Sequence, residues 1–204
     1  MFTQLDFQNA RVPKHRVFIS FHHIDDLYRQ QFEKDFSGQV DGFICRSVQD
    51  GDINPRNKIK TIRKVIRDRF ISDSTVTVVL IGAETWRRKH IDWEIGYSLT
   101  QTSHNYRSGL IGILLPSYVP DDSCCEEFLT EDEVIYTPCN VPPRLYDNVL
   151  SGYAKIYAYP QSTLCLKSWI HEAYQTRRKR KAKPKNRRRY FKRNISSSHT
   201  NWKS

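Results

Sequence analysis

Several common features are missing from this 204-residue chain. No run approaches the roughly 18 apolar residues of a membrane span, and residues 1–16 lack the apolar core of a signal peptide. The five cysteines show neither CxxC nor Cys/His metal-ligand spacing. These absences predict a soluble cytoplasmic protein in a reducing setting, with no membrane partner and no bound metal.

The usual short catalytic motifs are missing as well. The chain has no GxGxxG, no Walker phosphate loop, no HExxH and no GxSxG. A phosphoacceptor domain is disfavoured, because the strand-like run at 75–82 leads into GAET without an aspartate. Standard dinucleotide-binding, P-loop, zinc-protease and serine-hydrolase classes are therefore excluded.

Acidic residues are absent from the C-terminal segment, since none follows Glu172. Of the 33 Lys and Arg, 12 lie in 177–193 and Lys203 adds one, so 20 basic residues face 22 acidic ones in 1–176. The formal charge of +11 thus belongs to the tail. Without apolar periodicity, 177–204 is predicted to be disordered. It either contacts nucleic acid, with Tyr190 and Phe191 stacking on a base, or serves only as a solubilising tail.

Short runs rich in Val and Ile alternate with helical patterns. Continuous apolar runs of this kind are typical of strands buried on both faces of a parallel sheet. Four such runs stand out, and a fifth alternates like an edge strand: RVFIS (16–20), VDGFIC (40–45), TVTVVLIG (75–82), GLIGILL (109–115) and YAKIYAY (153–159).

Helices are predicted between these runs. Asp25 and Asp26 can cap the first, Pro55 opens a second with an apolar stripe to Phe70, a third covers 86–100, and Ser162 caps the last. The alternation predicts an α/β fold: a flavodoxin-like, doubly wound, parallel sheet of about five strands in the order 2-1-3-4-5.

The predicted organisation has three parts. Residues 1–13 are an N-terminal extension, 14–176 form the domain, and 177–204 form the basic tail. Within the domain, 116–150 lacks periodicity and is interpreted as an insertion before the edge strand.

Ligands of such sheets bind beyond the carboxyl ends of the strands, at the topological switch point between the first and third strands. Three segments converge there, and each also has a plain structural alternative: a capped strand end, a solvated turn, or a helix with a surface acid. Their candidate site residues are Ser20, Phe21, His22, His23 and Asp25 after the first strand, Ser47 in the loop 46–52, and Trp86, Trp93 and Glu94 after the third strand. Glu94 flanks the stripe formed by Ile91, Ile95 and Leu99.

Three segments in order carry a resemblance to a known family. They are RVFISFHHIDD, STVTVVLIGAETWRRKHIDWEIGYSL and GLIGILL, and they span roughly 14–115. Together they resemble the TIR-like family of the bacterial Thoeris antiphage system. Each motif is loose alone, but their joint order and spacing are specific.

The resemblance implies an enzyme that consumes NAD as substrate and needs no cofactor. TIR enzymes cleave the nicotinamide–ribose bond with one glutamate on the helix after the third strand, which is Glu94 by position. The remaining candidate residues would then contact the substrate. Thoeris TIR proteins make a cyclic ADP-ribose isomer that activates a separate effector, in response to a phage-derived trigger. The alternative is a non-catalytic interaction module that assembles with partners or with further copies of itself.

Overall fold

The structure is a computed structural model that describes most of the chain. The described residues are 13–39, 42–44, 61, 65, 68, 71, 74–101, 106–121, 127–179, 181–196, 198–199 and 202. The strands are β1 Arg16–Ser20, β2 Gly42–Ile44, β3 Val76–Ile81, β4 Gly109–Leu114, β5 Phe128–Leu129, β6 Ile135–Tyr136 and β7 Ala154–Tyr157. The helices are α1 Asp26–Phe36, α2 Lys89–Ser98, α3 Pro143–Leu150 and α4 Thr163–Arg178.

The central sheet has five parallel strands in the order β2-β1-β3-β4-β7. The predicted flavodoxin-like, doubly wound α/β class is confirmed. All six residues of β3 and of β4 are buried, which explains why both strands read as continuous apolar runs. The run at 153–159 becomes the edge strand β7.

Of the helices given above, α1 and α4 cover one face of the sheet, and α2 and α3 cover the other. On one face, Val78 and Leu80 of β3 pack with Phe32 of α1 and with Leu166 and Ile170 of α4. On the other face, Val79 and Ile81 pack with Ile91 and Ile95 of α2 and Leu145 of α3. Because side chains alternate along a strand, Phe18 and Ser20 of β1 both point to the α2 face.

The helix starts differ in detail from the sequence expectations. α1 begins at Asp26, but neither Asp25 nor Asp26 caps it by a side-chain hydrogen bond. The carboxylate of Asp25 accepts a hydrogen bond from Ser117 instead. Ser162 does cap α4, since its hydroxyl accepts from the backbone N–H of Cys165. The helix predicted over 55–70 lies almost entirely outside the described residues.

Residues 116–150 contain more structure than the predicted irregular insertion. They include a small antiparallel pair, β5 with β6, followed by α3, which makes the crossover from β4 to β7. The inward face of α3 contains Arg144 and Asn148, both fully buried. They lie beside a stripe of only two apolar residues, Leu145 and Val149, which is too short to predict a helix from periodicity.

The predicted disorder of the tail also differs from the structure. Residues 181–196, called here the C-terminal strap, lie along α2 and α3. Asn186 donates a hydrogen bond to the Gly96 carbonyl (2.8 Å), and the Trp93 indole donates to the Phe191 carbonyl (2.8 Å). A Cβ at Gly96 would collide with the strap's Tyr190 ring. Polar and aromatic contacts therefore hold a segment that has no apolar periodicity.

A buried ion pair anchors the strap. Arg144 of α3 donates to both carboxylate oxygens of Asp92 on α2, at 2.8 and 3.3 Å. The same Asp92 accepts from the backbone N–H of Phe191, and Arg144 also donates to the Arg188 carbonyl. The Arg144 guanidinium lies 4.4 Å from the centre of the Tyr190 ring. One charge pair thus joins α2, α3 and the strap.

The two described cysteines differ in their bonding. Cys139 is disulfide-bonded, while Cys165 is a free, exposed thiol. Among the described residues, no cluster of His, Cys, Asp and Glu could hold a metal ion. The helices formed by those residues are all too short or too polar to cross a membrane.

Replacing Arg144 with Leu should lower the free energy of unfolding by about 3–5 kcal/mol, because the Asp92 carboxylate would stay buried without its cation. Urea unfolding followed by circular dichroism measures the loss. The matched control is Glu131→Gln, which breaks an exposed ion pair with Lys155 and should cost less than about 1 kcal/mol. Equal losses in the two variants would show that the buried pair does not anchor the strap.

Candidate active site at the end of the first strand

The candidate site lies where β1 ends beneath α2. Ser20 is the last residue of β1 and pairs in register with Val79 of β3. Glu94 lies in the middle of α2, one residue before the core residue Ile95. The strand alternation that directs Ser20 toward α2 brings these two side chains together.

Ser20 and Glu94 form a short, fully buried hydrogen bond. The Ser20 hydroxyl donates to Glu94 Oε2 at 2.5 Å, and both residues are 0% exposed. The alternative of a solvated surface acid is therefore excluded. A buried carboxylate is costly unless it is hydrogen-bonded, so Ser20 is part of what makes this position tolerable. The pair fixes a carboxylate at the carboxyl edge of the sheet.

The turn after β3 is fixed by Thr85 and Gly82. Thr85 Oγ1 accepts a hydrogen bond from the Gly82 N–H (2.9 Å) and donates to the Leu80 carbonyl (3.4 Å). A Cβ at Gly82 would collide with the carboxylate of Asp25, so only glycine permits this approach. Ser117, just after β4, donates to Asp25 Oδ1 at 2.7 Å. Asp25 thereby links the carboxyl ends of β1, β3 and β4.

The Asp25 carboxyl is buried and only partly hydrogen-bonded. Burial raises the pKa of the Asp25 carboxyl above its ordinary value, against the opposing effects of the Ser117 hydrogen bond and the charge of His23. Its Oδ2 atom is buried and has no hydrogen-bond partner within the described part of the chain. An orphaned acceptor at this edge is able to receive a hydroxyl or amide donor from a ligand.

The segment 20–23 is divided between the two faces of the sheet. Ser20 contacts Glu94, whereas Phe21 packs into the core on the opposite face, with the Arg29 guanidinium 5.3 Å from its ring centre. The rings of His22 and His23 meet edge to face at 4.2 Å, and His23 is exposed. Phe21 is thus not brought to the buried carboxylate.

The two tryptophans contact other groups. Trp86 is buried at 2% exposure, with the Arg87 guanidinium 4.6 Å from its ring centre. The Trp93 indole is bound to the strap through the Phe191 carbonyl. Ser47 and its loop lie outside the described residues.

Sequence reasoning missed the parts of the site that depend on distant partners. Thr85 and Ser117 were overlooked because a single hydroxyl has no sequence pattern. Asp92 follows the core residue Ile91 on α2. Its place next to the core was the available signal, because a charged residue there is buried only when it is paired.

A doubly wound parallel sheet with a buried carboxylate at its carboxyl edge defines a flavodoxin-like α/β domain with its candidate site at the topological switch point. The family model described as Thoeris protein ThsB, TIR-like domain, matches residues 18–119, a range that includes Ser20 and Glu94. The chain therefore belongs to the Thoeris ThsB TIR-like family, as its sequence resemblance predicted. Comparison with curated proteins found no match.

Replacing Ser20 with Ala should lower the free energy of unfolding by about 1.5–3 kcal/mol, because a buried carboxylate oxygen loses its donor. Urea unfolding measures this loss. Ser74→Ala is the control, since Ser74 is also buried but donates to a neutral carbonyl, that of Ile71; it should cost about 0.5–1.5 kcal/mol. In a double-mutant cycle with Glu94→Gln the two losses should not add, and simple additivity would contradict the coupling.

We expect the stability of the Asp25→Asn variant, compared with that of the wild type, to increase as the pH rises from acid to neutral. The pKa of Asp25 is raised in the folded state, so its favourable contribution is present below the unfolded value of 3.8 and is lost as the pH rises through the folded value. Unfolding midpoints measured across pH 3–7 test this dependence.

The control for this experiment is the neighbouring Asp26→Asn. Burial raises the pKa of Asp26, but hydrogen bonds from Gln30 and Arg29 outweigh it and leave that pKa lowered. Its stabilising contribution is therefore present above 3.8 and is lost as the pH falls through the folded value. The two variants should shift in opposite directions at neutral pH, and parallel shifts would contradict the assignment.

Proposed function

We propose that this protein is an NAD-consuming TIR-like enzyme of antiphage defence. It cleaves the nicotinamide–ribose bond and produces a cyclic ADP-ribose-type signal that activates a separate effector. Its cellular setting is the cytoplasm. The observation that carries the proposal is the buried Glu94 carboxylate, held by Ser20 at the carboxyl edge of the sheet in a chain of the Thoeris ThsB family.

The proposed chemistry needs one fixed negative charge. Breaking the bond between the ribose carbon and the nicotinamide nitrogen builds positive charge on the sugar, as in the oxocarbenium-like states of glycoside hydrolysis. A carboxylate already in place stabilises that charge without reorganising during the reaction. The nicotinamide leaves as a neutral molecule, so no strong general acid is required. A single carboxylate, Glu94, therefore suffices.

Ser20 is the proposed positioning residue. Its hydroxyl donates to one oxygen of Glu94, which restricts the rotation of the carboxyl group. Burial among Ile91 and Ile95 lowers the local dielectric and strengthens the action of the charge on a bound sugar. The orphaned oxygen of Asp25 offers a second acceptor at the same edge, suited to a ribose hydroxyl or the nicotinamide amide.

The closed site supports an enzyme that responds to a trigger. Because Glu94 and Ser20 have no exposed surface, NAD reaches the carboxylate only after neighbouring groups move. A phage-derived component that favours the open arrangement would raise activity by shifting this population. We therefore expect slow turnover of NAD by the resting protein.

A non-catalytic adaptor is the second candidate, and one surface feature favours it. Ile24, in the turn before α1, and Leu27, in the first turn of α1, are 67% and 79% exposed. Exposed apolar side chains next to each other are common in contact surfaces with other proteins or with further copies of the same chain. In that case the charge of Glu94 is not needed for biological function.

Replacing Glu94 with Gln should reduce nicotinamide release from NAD by about 100-fold or more, because the neutral amide no longer stabilises the developing charge. Gln retains the size of Glu and an acceptor for Ser20, so the fold should persist. Nicotinamide is measured by liquid chromatography after incubation of purified protein with NAD, with and without lysate from phage-infected cells.

The matched control is Glu172→Gln, which removes a carboxylate from α4 that pairs with Lys155 on the other side of the molecule. It should leave release unchanged. Mass spectrometry of nucleotides from infected cells then separates linear from cyclic ADP-ribose. Full activity of the Glu94 variant would overturn the enzyme proposal, and phage protection that persists in it without nucleotide products would favour the adaptor.

A further inference from the structure

The first part of the C-terminal strap, residues 181–190, has two distinct sides. Exposure alternates residue by residue over 181–190. The even-numbered residues are half-buried against the domain: Ala182, Pro184, Asn186, Arg188 and Tyr190. The odd-numbered residues are all exposed and all basic, and we call them the cation ladder: Lys181, Lys183, Lys185, Arg187 and Arg189.

The alternation is fixed by contacts of the inward side. The backbone N–H of Lys185 donates to the Asn148 side chain, and the Lys185 carbonyl accepts from it, both at 2.9 Å. Arg188 makes two 2.7 Å hydrogen bonds to Asp147. These bonds hold the backbone of the strap in place, so the cation ladder is presented as a preformed row.

Nearby acids do not neutralise the row. Asp147 is paired with Arg188, and Asp92 is paired with Arg144. None of the five ladder side chains forms an ion pair with another residue of the described ranges. No acid follows Glu172 in the sequence. The positive field of the ladder therefore faces solvent.

The row is regular in its middle part, between backbone bends at Lys181 and Arg188. Alternate residues of an extended chain lie about 6.6 Å apart, so Lys183, Lys185 and Arg187 cover about 13 Å. A regular line of single charges complements a polymer with regularly repeated anions. A groove of about 610 Å³ runs beside Lys183, Lys185 and Arg187.

We propose that the cation ladder binds the phosphodiester backbone of a nucleic acid, in a second site separate from Glu94. Tyr190 points inward and packs on Tyr97, with ring centres 5.1 Å apart, so the base stacking by Tyr190 that the sequence suggested is not part of this site. Recognition rests on phosphates and is independent of base sequence. A membrane surface is less well matched, because Leu150 is the one large exposed apolar side chain among the residues that line this groove, which is too little apolar surface to enter the lipid.

The test compares two triple variants of the full chain that each lose three lysines. The ladder variant carries Lys181→Gln, Lys183→Gln and Lys185→Gln. The control carries Lys14→Gln, Lys34→Gln and Lys167→Gln, which remove the same charge from residues spread over the rest of the domain. Fluorescence anisotropy with a labelled 20-nucleotide single strand and a 20-base-pair duplex measures affinity at several salt concentrations.

Log affinity falls linearly as log salt concentration rises. Removing three phosphate contacts should make this line less steep, by about 2 for the single strand or about 2.7 for the duplex. The ladder variant should show this change and the control should not. Comparing the two probes identifies the preferred form. The proposal does not depend on NAD cleavage, so Glu94→Gln should bind as tightly as the wild type.

Three outcomes would overturn the proposal. Equal losses of affinity in both triple variants would show that binding depends on net charge and not on the ladder. If the wild type bound neither probe at physiological salt, the ladder would not be a nucleic-acid site. Stronger binding to phosphatidylserine vesicles than to both nucleic acids would assign the ladder to a membrane surface instead. Unfolding midpoints within error of the wild type confirm that the exposed substitutions leave the strap in place.

Discussion

The buried ion pair between Arg144 and Asp92 determines how the outer side of this domain is organised. Two charges removed from water are stable only when their hydrogen-bonding capacity is satisfied. Here Asp92 accepts from Arg144 and from the backbone of Phe191, while Arg144 donates further to Asn186 and the Arg188 carbonyl. The partners come from α2, α3 and the strap, so the ion pair joins these three segments.

The candidate site depends on the same helix. On α2, Glu94 faces β1 and is bound by Ser20, whereas Trp93 faces the strap and donates to Phe191. Adjacent helix residues project about 100° apart, so one turn of α2 is held from the sheet side and from the strap side at once. The absence of a side chain at Gly96 lets Tyr190 approach the helix backbone. The position of the carboxylate is therefore set by contacts on both sides of α2.

Whether an element could be predicted depends on how far apart in the sequence its interacting residues lie. β3 and β4 were predicted because full burial produces unbroken apolar runs, and α4 because Ser162 and a local stripe define it. α3 was missed because its inward Arg144 and Asn148 need partners 37 to 52 residues away in the sequence. The strap was missed for the same reason, since its inward Asn186 and Arg188 bond to groups far away in the sequence. For Glu94, periodicity placed the residue beside the core stripe, but only its pairing with Ser20 established burial.

The two sides of the strap connect the proposed polyanion site to the proposed catalytic helix. Lys185 exposes its ammonium group to solvent while its neighbour Asn186 bonds to Gly96 of α2. A ligand on the outer side influences Glu94 only if it binds two arrangements of the strap with different affinity. Such coupling is reciprocal, so NAD in the site would change the affinity for the polyanion by the same factor. If the nucleic acid binds both arrangements of the strap equally well, supporting α2 and binding nucleic acid are two independent roles of this segment.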